Sequence, residues 1–421
     1  MSQRGHYIVG LDIGSANIKT VIAQEIPEES LLRVIGVGSS PSEGIRRGAV
    51  VDIDEAVHSI TISIDQAEKM AGITVDQVMA NIGGTEIFSQ NAKGVVAVGK
   101  ADGEVLEDDI TRVLYAAQSV AIPLNKEILH VLPRSYRLDD QKDIKDPLGM
   151  HGVRLEADAL IIGGSSSHIK NIARCIEQAG LTLGGFTIEP IAAATAVLNR
   201  KQKELGVAVV NIGSTTTSLA VFEEGDLLHA AILPIGASHI TNDIAIGLRT
   251  SVEVAEQVKL LFGTAIVKDV DKHEDIDLSQ IDSQEEGLVS RRHVAEIIEA
   301  RTEELLQFVN NELKTIGRAG LLPSGVILTG GGSKLLGITE LTKEIFRLPA
   351  QIGYPQPLGG ILDRVDDPEF STAVGLVVWA NENIVSAPNG FHLGNTLSGG
   401  VFGSIQGAVK KAKGIFEKFL P

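Results

Sequence analysis

The feature that most constrains the fold is a stretch that occurs twice. Val9–Ala23, VGLDIGSANIKTVIA, aligns without a gap to Ala208–Phe222, AVVNIGSTTTSLAVF. Asp12 falls on Asn211, Gly14 on Gly213 and Ser15 on Ser214. Each copy is an apolar run, a Gly-Ser turn and a second apolar run, the pattern of a β-hairpin. Such a turn can present successive backbone N–H groups to an anion. Taken singly, each is readable as an ordinary hairpin with no ligand. Two matched copies about half a chain apart point to a duplicated α/β domain closing over one phosphate-bearing ligand.

The segments between and after the copies fit that plan. Gly185–Leu198, GFTIEPIAAATAVL, reads as a strand and then an Ala-rich helix opened by Glu189-Pro190, where proline is favourable. Ser324–Leu341, SGVILTGGGSKLLGITEL, reads as a buried strand, three glycines and a helix. Glycines there let a backbone approach a ligand closely. The Gly-Lys-Ser/Thr ending of a P-loop is missing from it. Phe370–Ala380, FSTAVGLVVWA, is a small-residue helix suited to close packing between two domains.

A chain of 421 residues has room for two or three domains with real cores. The net charge of −17 argues against a nucleic-acid binder, which would show a basic face. The single cysteine, Cys175, excludes an internal disulfide, suits the cytosol and reads as a buried structural thiol. The histidines are scattered without paired ligand spacing, and one cysteine cannot build a zinc site. No G-x-S-x-G nucleophile elbow occurs. No apolar run is long enough to span a bilayer, and the N-terminus goes straight into a strand without a signal-peptide pattern.

Together these motifs resemble the actin superfamily. LDIGSANIK is similar to its first phosphate motif and VNIGSTTTS to its second. EPIAAATAV and STAVGLVVW are similar to its two connecting helices, and ILTGGGSKL to its adenosine motif. They occur in the family's order and cover nearly the whole chain to about Glu382. Within the superfamily, Gly44–Gly72 leaves no room for the small subdomain that actin inserts in its first half. An extra strand–helix–strand block lies instead between VMANIGG and ALIIGG, roughly Thr85–Asp158. That displacement resembles the FtsA family of bacterial division proteins, and PilM of pilus assembly shares the layout.

The resemblance implies an α/β, actin-like duplicated ATPase fold, with two lobes around a nucleotide cleft and subdomain 1C in place of actin's 1B. Subdomain 1A would comprise 1–84, 159–200 and 373–385, and subdomain 1C 85–158. Subdomain 2A would comprise 201–237 and 326–372, and subdomain 2B 238–325. ATP and Mg²⁺ are the implied ligands. Gly14, Ser15, Ala16 and Asn17, with Gly213, Ser214, Thr215 and Thr216, would offer backbone amides to the β- and γ-phosphates, and Lys19 a charge. Asp12 would hold Mg²⁺ through water. Glu256 and Lys259, one helical turn apart, would touch the ribose, although the spacing alone is equally that of a surface ion pair. Gly330, Gly331 and Gly332 would pass beneath the adenosine, and Glu189 would orient the attacking water.

One departure bears on catalysis. Relatives usually carry Asp at the position of Asn211 and often at that of Ser218. Neither an amide nor a hydroxyl can take up a proton as a carboxylate can. Phosphate binding through backbone amides should survive, whereas hydrolysis should be weak or lost.

Two regions suggest partners. In Arg291–Gly317, a helix carries Val294, Ile297, Ile298, Leu305, Phe308 and Val309 on one side and Arg301 and Glu304 on the other. Charged helix faces are usually just solvated. The matching FtsA helix receives the C-terminal peptide of FtsZ, which would make Arg301 and Glu304 partner-binding residues. Just upstream, Lys268–Gly287 is acidic and poor in apolar residues, the composition of a loose loop.

The C-terminus is the second region. The Gly/Asn/Ser-rich stretch 386–400 reads as a flexible linker with a reach of roughly 20 Å. On a helix spanning 401–421, Phe402, Ile405, Val409, Ile415, Phe416, Phe419 and Leu420 share one arc. Lys410, Lys411, Lys413 and Lys418 flank it, against the single acid Glu417. The alternative is an amphipathic helix packed on the domain's own core. The linker, the flanking lysines and the terminal position favour a helix lying in an anionic membrane surface, each lysine contributing about 1 kcal/mol. PilM lacks such a tail, which favours the FtsA family. The resulting expectation is a filament-forming adaptor, self-associating through 1C and 2B, that tethers FtsZ to the cytoplasmic face of the membrane at the septum and recruits later division proteins. A PilM-like pilus protein, or an active phosphotransferase or chaperone on the same fold, are the alternatives.

Overall fold

The computed structural model describes residues 6–26, 31–119, 123, 125–285, 287–356 and 358–385. The linker 386–400 and the tail 401–421, with every membrane residue named above, lie outside the described residues.

The chain opens with an antiparallel meander, β1 (Tyr7–Ile13), β2 (Asn17–Ile26) and β3 (Leu31–Pro41). A small hairpin, β4 (Ile45–Arg46) and β5 (Ala49–Val50), precedes α1 (Ile53–Ala71) and β6 (Gln77–Ile82). The Asp52 side chain caps α1 by accepting from the Glu55 N–H, and Gly72 ends it in the left-handed region. Ala56, Ile60, Ile64 and Ala67 form its buried stripe, each isoleucine contributing about 2 kcal/mol of apolar burial.

An inserted unit follows: β7 (Phe88–Ala97), α2 (Glu107–Gln118), β8 (Lys126–Leu138), β9 (Gln141–Ile144) and β10 (Arg154–Ser165). Its strands pair in the order β7-β10-β8-β9. Its own core places Ile110, Val113, Leu114 and Ala117 of α2 against Leu155, Ala157, Ala159 and Ile161 of β10. The first lobe then resumes with α3 (Ser166–Gln178), β11 (Thr182–Ile188) and α4 (Glu189–Val197).

The second lobe begins with α5 (Arg200–Leu205) and a second meander, β12 (Val207–Ile212), β13 (Thr217–Glu223) and β14 (Asp226–Leu233). Next come α6 (Ala237–Leu248), α7 (Val252–Phe262), β15 (Asp275–Asp277), β16 (Leu288–Ser290) and α8 (Arg291–Thr315). β17 (Val326–Thr329), α9 (Ile338–Phe346) and β18 (Ala350–Ile352) complete its sheet. The chain returns to the first lobe through β19 (Gly359–Gly360) and α10 (Ser371–Val385).

The duplication is visible in the strand order. The first sheet runs β11-β6-β1-β2-β3, with β19 added at its edge, and the second runs β18-β17-β12-β13-β14. Both consist of a meander followed by two strands that extend the sheet in parallel. The hairpin registers also match: Asp12 faces Lys19 across the first, and Asn211 faces Ser218 across the second. α4 and α10 pack together between the two sheets. Their contact is so close that a Cβ on Gly375 would come 1.8 Å from the Ala192 carbonyl oxygen.

Two sequence expectations change. Lys268–Gly287 is not a loose loop. β15 pairs with β16, and Ile276 and Leu278 are buried with α6, α7 and α8. Its few apolar residues suffice because neighbouring helices supply the rest of the core. On α8, Phe308 does not join the buried side but is 48 % exposed, while Val294, Ile298, Leu305 and Val309 are buried.

Candidate functional site

Each Gly-Ser turn follows the C-terminal end of a central strand, β1 or β12, where open α/β sheets place their ligands. In the first, the Gly14–Asn17 turn joins β1 to β2. In the second, the Gly213–Thr216 turn is held from behind. Ala237 N–H donates to Gly213 O at 2.9 Å, and Ser238 donates to Ser214 O through its N–H and its hydroxyl, both at 2.8 Å. The N–H groups of Ser15, Ala16, Ser214 and Thr215 have no acceptor among the described residues. The Thr215 hydroxyl is likewise buried without a partner. Unpaired donors at two matched turns suit an anionic ligand.

The floor between the turns is carboxylate-rich. Asp12 is buried at the end of β1, and Asn81 of β6 holds it: Asn81 Nδ2 donates to Asp12 Oδ1 at 2.8 Å, while Ile13 N–H donates to Asn81 Oδ1 at 2.7 Å. Burial pushes the Asp12 carboxyl up to about 6, against the charge of Lys19 and the Asn81 hydrogen bond. Glu189, at the first turn of α4, faces it. Burial and then the Asp12 charge push Glu189 up to about 8, opposed by the Ser218 hydrogen bond.

Asn211 reaches Glu189 from the second lobe. Its Nδ2 donates to Glu189 Oε1 at 2.7 Å and lies 3.4 Å from Thr372 Oγ1 at the start of α10. The Ser218 hydroxyl donates to the same Glu189 oxygen at 3.3 Å. The two positions without acids therefore act alike, since both donate to a carboxylate that burial already favours keeping protonated. An aspartate at 211 would instead set a second carboxylate against it.

Lys19 is nearly buried, with Nζ 3.8 Å from Glu369 and 5.6 Å from the Phe370 ring centroid. It lies opposite Asp12 at the cleft floor, so its charge is shared with protein acids before any ligand arrives. Gly330, Gly331 and Gly332 follow β17. Gly330 has φ +81°, and a Cβ there would come 2.1 Å from Asn211 Oδ1. A Cβ on Gly332 would strike Ile212, whereas one on Gly331 would meet open space, leaving a smooth backbone floor beside the second turn.

The far wall is α7. Lys259 Nζ donates to Glu256 Oε2 at 2.6 Å and to Thr241 Oγ1 at 2.8 Å, and the Thr241 hydroxyl donates to Glu256 Oε2. The ion pair that the spacing suggested is thus present, and Glu256 also lines a cavity of about 440 Å³ with Ser214, Ser238, Thr241, Asn242 and Gln257. That volume is in the range of small-ligand sites.

The sequence reading missed Asn81, Thr241 and Thr372. A polar residue inside the apolar run VMANIGG was the available signal for Asn81. Thr241 and Thr372 carried none. Arg301 and Glu304 lie outside the cleft on α8. Arg301 is not a free cation: Nε and Nη2 bind Asp243 of α6 at 2.5 and 3.0 Å, and Nη1 binds Glu304. Those bonds, chiefly to Asp243, raise its pKa further.

Two matched phosphate-type hairpins, a glycine floor and paired crossing helices define an actin-like two-lobed fold. Solved structures agree. A chain of the PilM–PilN type IV pilus biogenesis complex matches with TM-score 0.64 and 16 % identity, covering 89 % of this chain and 98 % of that one. MreB5 of Spiroplasma citri bound to ADP matches with TM-score 0.52 and 14 % identity, covering 91 % and 99 %. The particular member is settled by sequence comparison. The family model for cell division protein FtsA matches residues 208–375, and the model for the SHS2 domain inserted in FtsA matches residues 84–163. Cell division protein FtsA of Pseudomonas aeruginosa is 40 % identical over 377 residues, covering 90 % of each chain. The chain belongs to the FtsA family of cell division proteins. The likeness to the PilM chain is one of fold, so the pilus-assembly alternative is not favoured.

Proposed function

We propose that this chain binds Mg-ATP in the cleft between its two Gly-Ser turns and acts as a filament-forming adaptor at the division septum. In this reading it tethers FtsZ to the cytoplasmic face of the membrane and recruits later division proteins. The observation that carries the nucleotide part is the pair of turns with unpaired amides above a glycine floor. MreB5, a fold relative, is described as bound to ADP, which supports the same use of this cleft. Gly14–Asn17 and Gly213–Thr216 would hold phosphates, Gly330–Gly332 would underlie the adenosine, and Glu256 and Lys259 would meet the ribose.

Among the described residues no group of three His, Cys, Asp or Glu could cage a metal. Asp12 alone suits Mg²⁺, which keeps most of its water and relies on one or two carboxylates plus phosphate. The bound ion would neutralise phosphate charge. Glu189 has one oxygen already accepting from Asn211 and Ser218, and no carboxylate at 211 or 218 to share a proton with, which weakens it as a general base. ATP is then mainly a structural ligand that joins the lobes, and turnover is weak. Rapid Mg-ATP turnover by purified protein, abolished by Glu189→Ala, would refute this.

Arg301 and Glu304 on α8 are proposed to receive the FtsZ C-terminal peptide, and 1C and 2B to carry self-association. Among the described residues no helix is long and apolar enough to cross a membrane. The adaptor role assigns membrane contact to 401–421, through a lysine-flanked apolar arc. One such helix binds modestly, and many along a filament bind firmly. Co-sedimentation of FtsZ with anionic liposomes, using full-length protein and protein lacking 401–421, tests the adaptor role. FtsZ recruitment should require the tail; recruitment without it would defeat the tether.

A further inference from the structure

The β4–β5 hairpin has no part in the cleft as described so far, yet it is held rigidly at its edge. The Gly44 carbonyl closes its base by accepting from the Val51 and Asp52 N–H groups at 2.8 and 3.1 Å. Ile45 anchors it in the core beside Ala56 and Ile60 of α1. At the tip, Arg47 has φ +50° and Gly48 φ +74°, the two left-handed residues of a type I′ turn. The Gly48 N–H donates to Ser15 Oγ at 3.0 Å, tying the tip to the first Gly-Ser turn. Gly48 also lies directly on Gly84, where a Cβ would come 2.4 Å from the Gly84 nitrogen. Gly83, next in line, abuts Glu189, its would-be Cβ 3.1 Å from Oε2. The tip thus reaches from the first turn to the backbone that touches Glu189.

The first central position of a type I′ turn favours Asn, Asp or Gly, and a long side chain there is strained. The β13–β14 hairpin turns the same way at Glu224-Gly225, so the turn by itself marks no site, and the position of the tip beside the Gly14–Asn17 turn carries the weight. Arg46 and Arg47 are both exposed and form no ion pair among the described residues, in a chain of net charge −17. A guanidinium matches phosphate oxygens with two parallel N–H donors.

We infer that Arg46 and Arg47, held over the first Gly-Ser turn by the Gly48–Ser15 hydrogen bond, recognise the terminal phosphate of a nucleoside triphosphate and so distinguish it from the diphosphate. This deepens the nucleotide reading of the cleft and rests on it. The turn amides hold phosphate through backbone groups common to both ligands. The two arginines, exposed on the tip that touches Ser15, would add a contact to a third phosphate that the diphosphate lacks.

The test is calorimetric titration of the full chain with Mg-ADP and with a non-hydrolysable triphosphate analogue, in wild type, Arg47→Asn and the Arg46→Ala/Arg47→Asn double variant. Asparagine suits the left-handed position, so Arg47→Asn should melt at the wild-type temperature or above. The double variant should lose about tenfold in triphosphate affinity, or about 1.4 kcal/mol, with ADP affinity unchanged. An unchanged ratio of the two affinities overturns the inference and leaves the cleft reading standing. An equal loss for both nucleotides, with a lowered melting temperature, assigns the arginines a structural role and also overturns it. Failure of wild type to bind either nucleotide overturns the cleft reading and this inference together.

Discussion

Glu189→Gln should remove the fall in stability that Glu189 itself imposes between pH 5.5 and pH 8. In the folded protein, burial and the Asp12 charge hold Glu189 near 8, against an ordinary value of 4.5. Between those values the folded chain keeps a proton that the unfolded chain has released. The unfolded state therefore binds fewer protons, and stability falls as pH rises through the window, levelling off above about pH 8. At 1.36 kcal/mol per pKa unit, about 3 kcal/mol of that fall lies between pH 5.5 and 8, a ceiling because Glu189 is partly open to the cleft. Glutamine keeps the shape and an Oε1 that can accept from Asn211 Nδ2 and the Ser218 hydroxyl. The raised Asp12 is present in both proteins and cancels to first order. Urea unfolding of wild type and Glu189→Gln at both pH values gives the comparison. Wild type should lose up to about 3 kcal/mol more than the variant on going to pH 8. Identical pH dependence in the two proteins would show that Glu189 carries no buried proton, and the account of its bonds with Asn211 and Ser218 would fail.

Three further outcomes follow from the geometry. Gly330→Ala places a Cβ 2.1 Å from Asn211 Oδ1 at φ +81°, so it should destabilise by about 2–3 kcal/mol and abolish nucleotide binding, read by thermal melting with and without ATP. Asn211→Asp exchanges a 2.7 Å amide donor for a carboxylate facing Glu189; it should lower apo-protein stability by about 1–3 kcal/mol and raise Mg-dependent phosphate release above the wild-type rate. Arg301→Glu breaks the paired bonds to Asp243 and should abolish binding of the FtsZ C-terminal peptide while leaving ATP affinity unchanged, measured by fluorescence anisotropy and calorimetry on the same preparation.

The sequence by itself determined the local pieces. Two copies of an apolar–turn–apolar pattern dictated two hairpins of equal register, because a period-two pattern and a short Gly-Ser connection leave few alternatives. Glu189-Pro190 was legible as a helix start and Gly330–Gly332 as a close backbone approach, since both follow from single-residue sterics. The missing acids at 211 and 218 were also legible, but only as a loss.

Tertiary structure decided what those residues do. Asn211 and Ser218 converge on one oxygen of Glu189, Asn81 braces Asp12 from another strand, and Lys19 faces Glu369. These partners lie from 22 to 350 positions apart, and no local pattern encodes them. The same holds for Arg301, read as a partner-binding residue with no sign of the Asp243 on a neighbouring helix that holds it, and for Ile276 and Leu278, too few to suggest a fold until three helices enclose them. Periodicity and backbone sterics act over a few residues and can be read along the chain. Burial, charge pairing and proton affinity depend on what folding brings within hydrogen-bonding distance, and they exist only in the folded chain.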